Sequence, residues 1–224
     1  MSPLSPALIP IPAVTGVILA GGRSSRMGSN KALLPYRGGR FIEAIYRQFC
    51  ELFDEVLLIT NTPEQYTFLP CRKVADIYPG MGALAGLHAG LQASSSKHVF
   101  AVACDMPYLN SVLIKKLATL RDNADVVIPE GERGPEPLHA LYGKACLVHM
   151  ENALTVGRRR IVSFFPEVRV HKLSCQAVAR LDPAFNSFIN INTPDDYFGL
   201  RGEERGLNQA NFIGADQACL YRTG

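Results

Sequence analysis

A loop able to hold phosphate follows directly on an apolar run in GVILAGGRSSRMGSNKALL, from Gly16 to Leu34. Gly21 and Gly22 carry no Cβ where the chain leaves Leu19 and Ala20, so a ligand can approach backbone N–H groups closely. Arg23, Ser24, Ser25 and Arg26 add donors, and Lys31 adds a point charge shortly after Gly28. Backbone amides joined by Arg and Lys make a phosphate cradle, the Arg as a planar fork and the Lys as a mobile ammonium. Neither common phosphate pattern is present. A P-loop needs Lys and Ser/Thr straight after its last glycine, where this chain has Ser29 and Asn30, and G-x-G-x-x-G is missing. A glycine turn with surface basic residues is the plainer reading of the same stretch.

A second candidate is Asp105 in ACDMPYL, residues 103–109. A carboxylate closing an apolar run is a hard oxygen ligand suited to Mg²⁺ against phosphate oxygens. Capping a helix that starts near Asn110 is an equally ordinary role for it. In FININTPDD, residues 188–196, Asn192 or Thr193 caps a helix, Pro194 sits in its first turn, and Asp195 and Asp196 favour its positive end.

Strands and helices must position these residues, and their signals alternate. Strands are expected at Gly16–Ala20, Glu55–Thr60, Arg72–Ala75, His98–Cys104, Ala124–Pro129, Leu138–Tyr142, Val168–Leu173 and Phe188–Ile191. The runs VILA, VLLI, VFAVA and DVVI are apolar on both faces, as in a sheet covered by helices on each side. FIEAIYRQFCELF, ALAGLHAGLQA and LNSVLIKKLATL have helical spacing, and Gly82, Gly86 and Gly90 form a small-residue stripe for close packing on the sheet. The alternation predicts one α/β domain with a doubly wound, mostly parallel sheet and helices on both faces. The pattern is less regular after residue 130, where one strand is expected to run antiparallel. The domain is expected to span residues 14–200, after an irregular Pro-rich lead-in, 1–13, and before a tail of unassigned role, 201–224. In such a sheet ligands bind outside the carboxyl ends of the strands, which is where the candidate residues fall.

Composition limits the function. With 224 residues, 47% hydrophobic and 19% charged, the chain can build a sizeable core. A net charge of +3 and no long basic run argue against a nucleic-acid groove. Arg158-Arg159-Arg160 reads as a solvated helix face. The prolines and the lack of a basic start argue against a signal peptide or membrane span in the lead-in. The six cysteines are scattered without zinc-site spacing, which points to reduced thiols in a cytoplasmic protein.

LAGGRSSRMGSNKALL resembles the signature loop of small nucleotidyltransferases, L-A-[GA]-G-x-[SG]-x-R-[ML]-[GS]-x-x-K. With two glycines it is most similar to the molybdenum-cofactor guanylyltransferases, which join GTP to molybdopterin. The resemblance covers roughly residues 14–199. It implies that GMP passes from GTP to molybdenum-bound molybdopterin and that pyrophosphate leaves. It implies nucleotide contacts from Leu19, Ala20, Gly21, Gly22, Lys31, Asn61, Asp76 and Asp105, with Arg26, Lys31 and Asp105 serving catalysis and Asp105 holding Mg²⁺. A carboxylate such as Asp76 can accept from guanine's ring N–H and exocyclic amine, a donor pair that cytosine does not present. Glu136 and His139, in GERGPEPLHALY, and Asn190 and Asn192 are implied on the second-substrate side, although a lone His in an apolar strand is more often structural. The loop Pro79-Gly80-Met81-Gly82-Ala83 departs from the family's P-G-P-L-A-G. Further implied partners are other cofactor-pathway proteins or acceptor molybdoenzymes. The rival readings are a cytidylyltransferase, which usually reads L-A-A-G, and a nucleotide-binding regulator without catalysis.

Overall fold

The apolar run ahead of Gly21 becomes β1 (Val14–Leu19), buried at every position, at the heart of an eight-stranded sheet. This computed structural model describes residues 10–21, 30–191 and 196. After β1 come a small hairpin, β2 (Pro35–Tyr36) and β3 (Gly39–Arg40), then α1 (Phe41–Leu52), β4 (Glu55–Ile59) and β5 (Arg72–Val74). The chain continues through α2 (Ala83–Ala93), β6 (His98–Ala103), α3 (Ser111–Ala118), β7 (Val126–Gly131), β8 (Gly134–Pro135) and β9 (His139–Gly143). It closes with α4 (Leu147–Thr155), β10 (Val170–Leu173) and α5 (Cys175–Ala179).

The main sheet runs β10-β7-β9-β6-β1-β4-β5, with β8 added on β7. The pairs β1–β4, β1–β6, β4–β5 and β7–β10 are parallel. β9 lies antiparallel between β6 and β7, the irregular strand expected after residue 130. The chain steps from β1 to one side for β4 and β5 and later to the other side for β6. That reversal opens a crevice above the carboxyl end of β1.

Side-chain alternation along the strands divides the core in two. Ile18, Leu58, Phe100 and Leu141 face α1, α3 and α5. Val17, Leu57, Val99 and Ala140 face α2 and α4. The glycine stripe brings α2 close to the sheet. A Cβ built on Gly90 would stand 2.7 Å from Val17 Cγ1, a separation that real side chains do not adopt. The end of the lead-in is fastened here as well, since the Ile11 N–H donates to the Leu52 carbonyl at 2.7 Å and Ile11 is buried.

The expected strand at Phe188–Ile191 does not form. The Asp182 carboxylate takes the amides of Asn186 (3.2 Å) and Ser187 (2.9 Å) and nucleates a short 3-10 turn, Asn186–Phe188, from which the chain runs on as an irregular strap. The helix expected beyond Asn192 falls outside the described residues except for Asp196. The five described cysteines, Cys50, Cys71, Cys104, Cys146 and Cys175, are all free. None of the helices among the described residues is long and apolar enough to cross a membrane.

Candidate active site

Four strands end in register at the crevice. The Ala20 N–H donates to the Ile59 carbonyl (2.9 Å), Cys104 N–H to Leu19 (3.1 Å) and Thr60 N–H to Val74 (2.9 Å). Above them lies a cleft of about 690 Å³, within the usual range for small-ligand sites. Leu19, Gly21, Asn61 and Asp76, four of the residues singled out from sequence, line it together. A Cβ on Gly21 would meet none of the described residues within 4 Å, which leaves room among them for a ligand to approach its backbone. Ala20 is buried and spends its N–H on the sheet. Gly22 and Arg26 lie outside the described residues.

Asn61 and Asp76, at the ends of β4 and β5, hold each other. Asn61 Nδ2 donates to Asp76 Oδ2 at 2.8 Å, and the Asp76 backbone N–H donates to Asn61 Oδ1 at 3.0 Å. This reciprocal pair fixes the Asp76 carboxylate and leaves its Oδ1 buried with no hydrogen-bond partner among the described residues. A buried acceptor of that kind is costly unless a ligand supplies the donor, by about 1–3 kcal/mol. Beyond it the chain enters α2 through Gly80 and Gly82 at φ +79° and +73°, left-handed values that glycine accepts without strain.

Lys31 and Asp105 meet on the far side of β1. Lys31 opens a 3-10 turn that the Asn30 side chain caps by accepting from the Ala32 N–H at 3.2 Å. Asp105 follows β6 by two residues. Burial raises its carboxyl above the usual carboxylate range, and the Lys31 ammonium pulls in the opposite direction. Asp105 Oδ1 is also buried and lacks a hydrogen-bond partner among the described residues.

One wall of the cleft was missed from sequence. Arg158-Arg159-Arg160 is no helix face: it leaves α4 through Gly157 at φ +81°, and Arg159 lines the cleft together with Leu138. The Arg159 carbonyl would lie 3.7 Å from a Cβ on Gly82, so the basic turn stands directly across from the α2 entry loop. A basic triplet looks the same on a surface and on a cleft wall, and only its spatial neighbour Gly82 tells them apart.

The residues expected on the second-substrate side divide. Glu136 is half-buried, and burial raises its carboxyl while Arg133 opposes the shift. Its Oε1 and the Phe188 ring converge above Gly131, at 2.9 and 3.1 Å from where a Cβ would be. Tyr142 Oη donates to the Pro137 carbonyl at 2.6 Å and steadies this segment. Asn190 is exposed on the strap, its Nδ2 donating to the Phe188 carbonyl at 3.3 Å, and Asn192 lies outside the described residues. His139 departs from expectation. It is 0% exposed, wedged edge-on between Phe100 and Phe188 at 5.2 and 5.4 Å, and touches no open surface. Its strand lies in the middle of the sheet, so every side chain of β9 is buried.

His139 carries a pH signature. Burial pushes its imidazole down to about 3, against the pull of Asp182, whereas an unfolded His titrates near ~6.5. Between those values the unfolded chain binds a proton that the folded chain refuses. Stability is therefore fully present above pH ~6.5 and is lost as pH falls, by up to about 1.4 kcal/mol per unit. Scanning calorimetry from pH 7 to 5 should show a falling melting temperature that His139→Phe flattens. Parallel curves for the two proteins would rule this origin out.

A strand-end cleft at the reversal of an α/β sheet, with a fixed carboxylate in its lining and Lys31 acting on Asp105 beyond the neighbouring strand end, is the arrangement in which doubly wound sheets bind nucleotides. The profile of the MobA-like NTP transferase domain matches residues 16–189, and the chain belongs to that family of nucleotidyltransferases. It is 37% identical over 186 residues to the molybdenum cofactor guanylyltransferase of Desulfosudis oleivorans, covering 82% of this chain and 92% of that protein. A probable molybdenum cofactor guanylyltransferase of Pelotomaculum thermopropionicum is 36% identical over 187 residues, covering 84% and 91%. Among solved structures, molybdopterin-guanine dinucleotide biosynthesis protein A from Archaeoglobus fulgidus superposes with a TM-score of 0.74 at 25% identity, covering 87% of this chain and 99% of that one.

Proposed function

We propose that this nucleotidyltransferase takes GTP and passes its GMP to the terminal phosphate of molybdenum-bound molybdopterin, releasing pyrophosphate. The observation that carries the guanine reading is the Asn61–Asp76 pair at the cleft, which holds the Asp76 carboxylate and leaves one of its oxygens without a hydrogen-bond partner among the described residues. Guanine answers it with adjacent ring N–H and amine donors. A site built to hydrogen-bond such donors discriminates strongly against bases that lack them. The relatives named as guanylyltransferases support the same choice.

In this reading the molybdopterin phosphate attacks the α-phosphorus in line, and the protein contributes position and charge rather than a covalent intermediate. Gly21 and Gly22 offer backbone amides to the triphosphate. Arg26 and Lys31 neutralise the charge that grows on the departing pyrophosphate. The Asp105 oxygen left without a partner suits a divalent cation, Mg²⁺ in this proposal. Among the described residues no group of three or more His, Cys, Asp or Glu could hold a metal ion, so Asp105 would hold the cation as a single protein carboxylate, together with the nucleotide. Such an ion would supply charge neutralisation to the triphosphate. Glu136 and Asn190 flank the incoming pterin, and the finished cofactor goes to acceptor molybdoenzymes in the cytoplasm.

A thermal-shift panel tests the base. A ligand at a hundred times its dissociation constant adds about 2.7 kcal/mol, or roughly 5–10 °C for a chain of this size. GTP with Mg²⁺ should give the largest rise, ahead of ATP, CTP and UTP. Four equal shifts would remove the guanylyl assignment.

A further inference from the structure

The strap from Leu181 to Ile191 is bolted at both ends to one short loop, Asp105–Asn110. Asn110 Nδ2 donates to the Leu181 carbonyl at 2.9 Å, while its Oδ1 caps α3 by accepting from Val112 and Leu113 at 2.9 and 3.1 Å. At the other end the Ile191 N–H donates to the Asp105 carbonyl at 3.0 Å. The Ile191 side chain is buried with Tyr36 and Phe41, and Tyr108 of the same loop packs against that cluster. The geometry of the strap thus bears directly on the backbone of Asp105.

One side chain shapes the strap. Asp182 is 5% exposed, and its carboxylate is committed to the backbone N–H groups of Asn186 and Ser187. Between them the chain turns through Phe185 in the left-handed region at φ +51°, where a bulky residue is strained. The bend also has the Phe185 N–H to Asp182 carbonyl bond at 3.0 Å and the packing of Phe185 and Phe188 on the core. The two bonds to the Asp182 carboxylate are nonetheless its only side-chain hydrogen bonds among the described residues, and losing them lets the chain relax toward an ordinary backbone. The bend that brings Ile191 back to Asp105 goes with it.

We propose that Asp182 is a positioning residue: by holding the left-handed bend of the strap, it fixes the Ile191–Asp105 bond and thereby the placement of Asp105 near Lys31. Asp182 touches no ligand itself. The step from Asp105 to a metal rests on the function proposed above, so the test separates the two. Asp182→Asn keeps the shape but leaves one oxygen to serve two N–H donors.

Amide hydrogen exchange by NMR reads the strap without any ligand. In the wild type the Ile191 amide should exchange slowly, and in Asp182→Asn it should exchange at least about tenfold faster, as expected for losing a hydrogen bond to a charged group. Amides of β1 and α1 should not change, which separates a local release from general destabilisation. Free Mn²⁺, measured by electron paramagnetic resonance, reads the second step. The GTP complex of the variant should bind Mn²⁺ about tenfold more weakly, with GTP affinity in EDTA kept within about twofold. Rapid exchange at Ile191 in the wild type, or unchanged exchange in a folded variant, overturns the proposal. Faster exchange with unchanged Mn²⁺ affinity overturns the link to Asp105. If the wild-type GTP complex binds no Mn²⁺, the metal reading of Asp105 falls, and the exchange data alone decide the role of Asp182. Should Asp182→Asn fail to fold, Asp182→Ser, whose hydroxyl oxygen accepts one of the two N–H groups, carries the same expectation.

Discussion

Asp105→Asn should abolish most turnover while leaving the fold intact. The substitution preserves shape but removes the charge and one of two equivalent oxygen donors from the position beside Lys31. Losing one preorganised electrostatic partner of a transition state typically costs about 10²–10³ in rate, roughly 2.7–4 kcal/mol. Folding should not suffer. Asp105 Oδ1 has no hydrogen-bond partner to lose among the described residues, and a half-buried charge is itself unfavourable. The melting temperature of the variant without ligand should therefore equal or exceed that of the wild type, the usual trade of stability for activity at a working site. Pyrophosphate release and circular dichroism on the same preparation check both halves. A folded variant with wild-type turnover would remove the metal role.

Asp76→Asn should damage recognition of the base instead. The Asn61 amide already occupies Oδ2 at 2.8 Å, so the new side chain keeps that bond by leaving its oxygen there. Its NH₂ group then takes the place of Oδ1, the oxygen without a partner among the described residues. An acceptor becomes a donor, and guanine's own donors meet it head-on. Hydrogen bonds to charged groups contribute about 1.5–3 kcal/mol each, so GTP affinity should fall roughly 10- to 100-fold. CTP, whose weaker binding does not depend on that donor pair, should lose much less. Calorimetric titration of both nucleotides into both proteins decides it, and equal losses for GTP and CTP would contradict the role of Asp76 in base selection.

The order of strands and helices could be read from the chain because the runs VILA, VLLI and VFAVA are buried on both faces and the intervening helices carry regular spacing. The strand-end residues of the cleft could be read for a related reason. In a doubly wound sheet the residues after the strands face the crevice, and Gly21, Asn61 and Asp76 do line the cleft, whereas Asp105 lies outside its lining, in the field of Lys31. What failed depended on contacts between distant segments. Phe188–Ile191 has the composition of a strand, yet Asp182 captures its leading amides and bends it into the strap. His139 is a chemically able residue, but β9 is inserted between β6 and β7, and that insertion turns it into the core. Arg159 carries no local mark of function, and its place on the cleft wall follows only from the approach of its backbone to Gly82.

The most direct measurement is pyrophosphate release with Mg²⁺ and molybdenum-loaded molybdopterin, run in parallel with GTP and CTP and with the pterin omitted from a third reaction. Release with GTP, little with CTP, and none without the pterin is the expected result, with one molybdopterin guanine dinucleotide formed for each pyrophosphate. Preference for CTP, or no release from a folded protein that binds GTP, would contradict it.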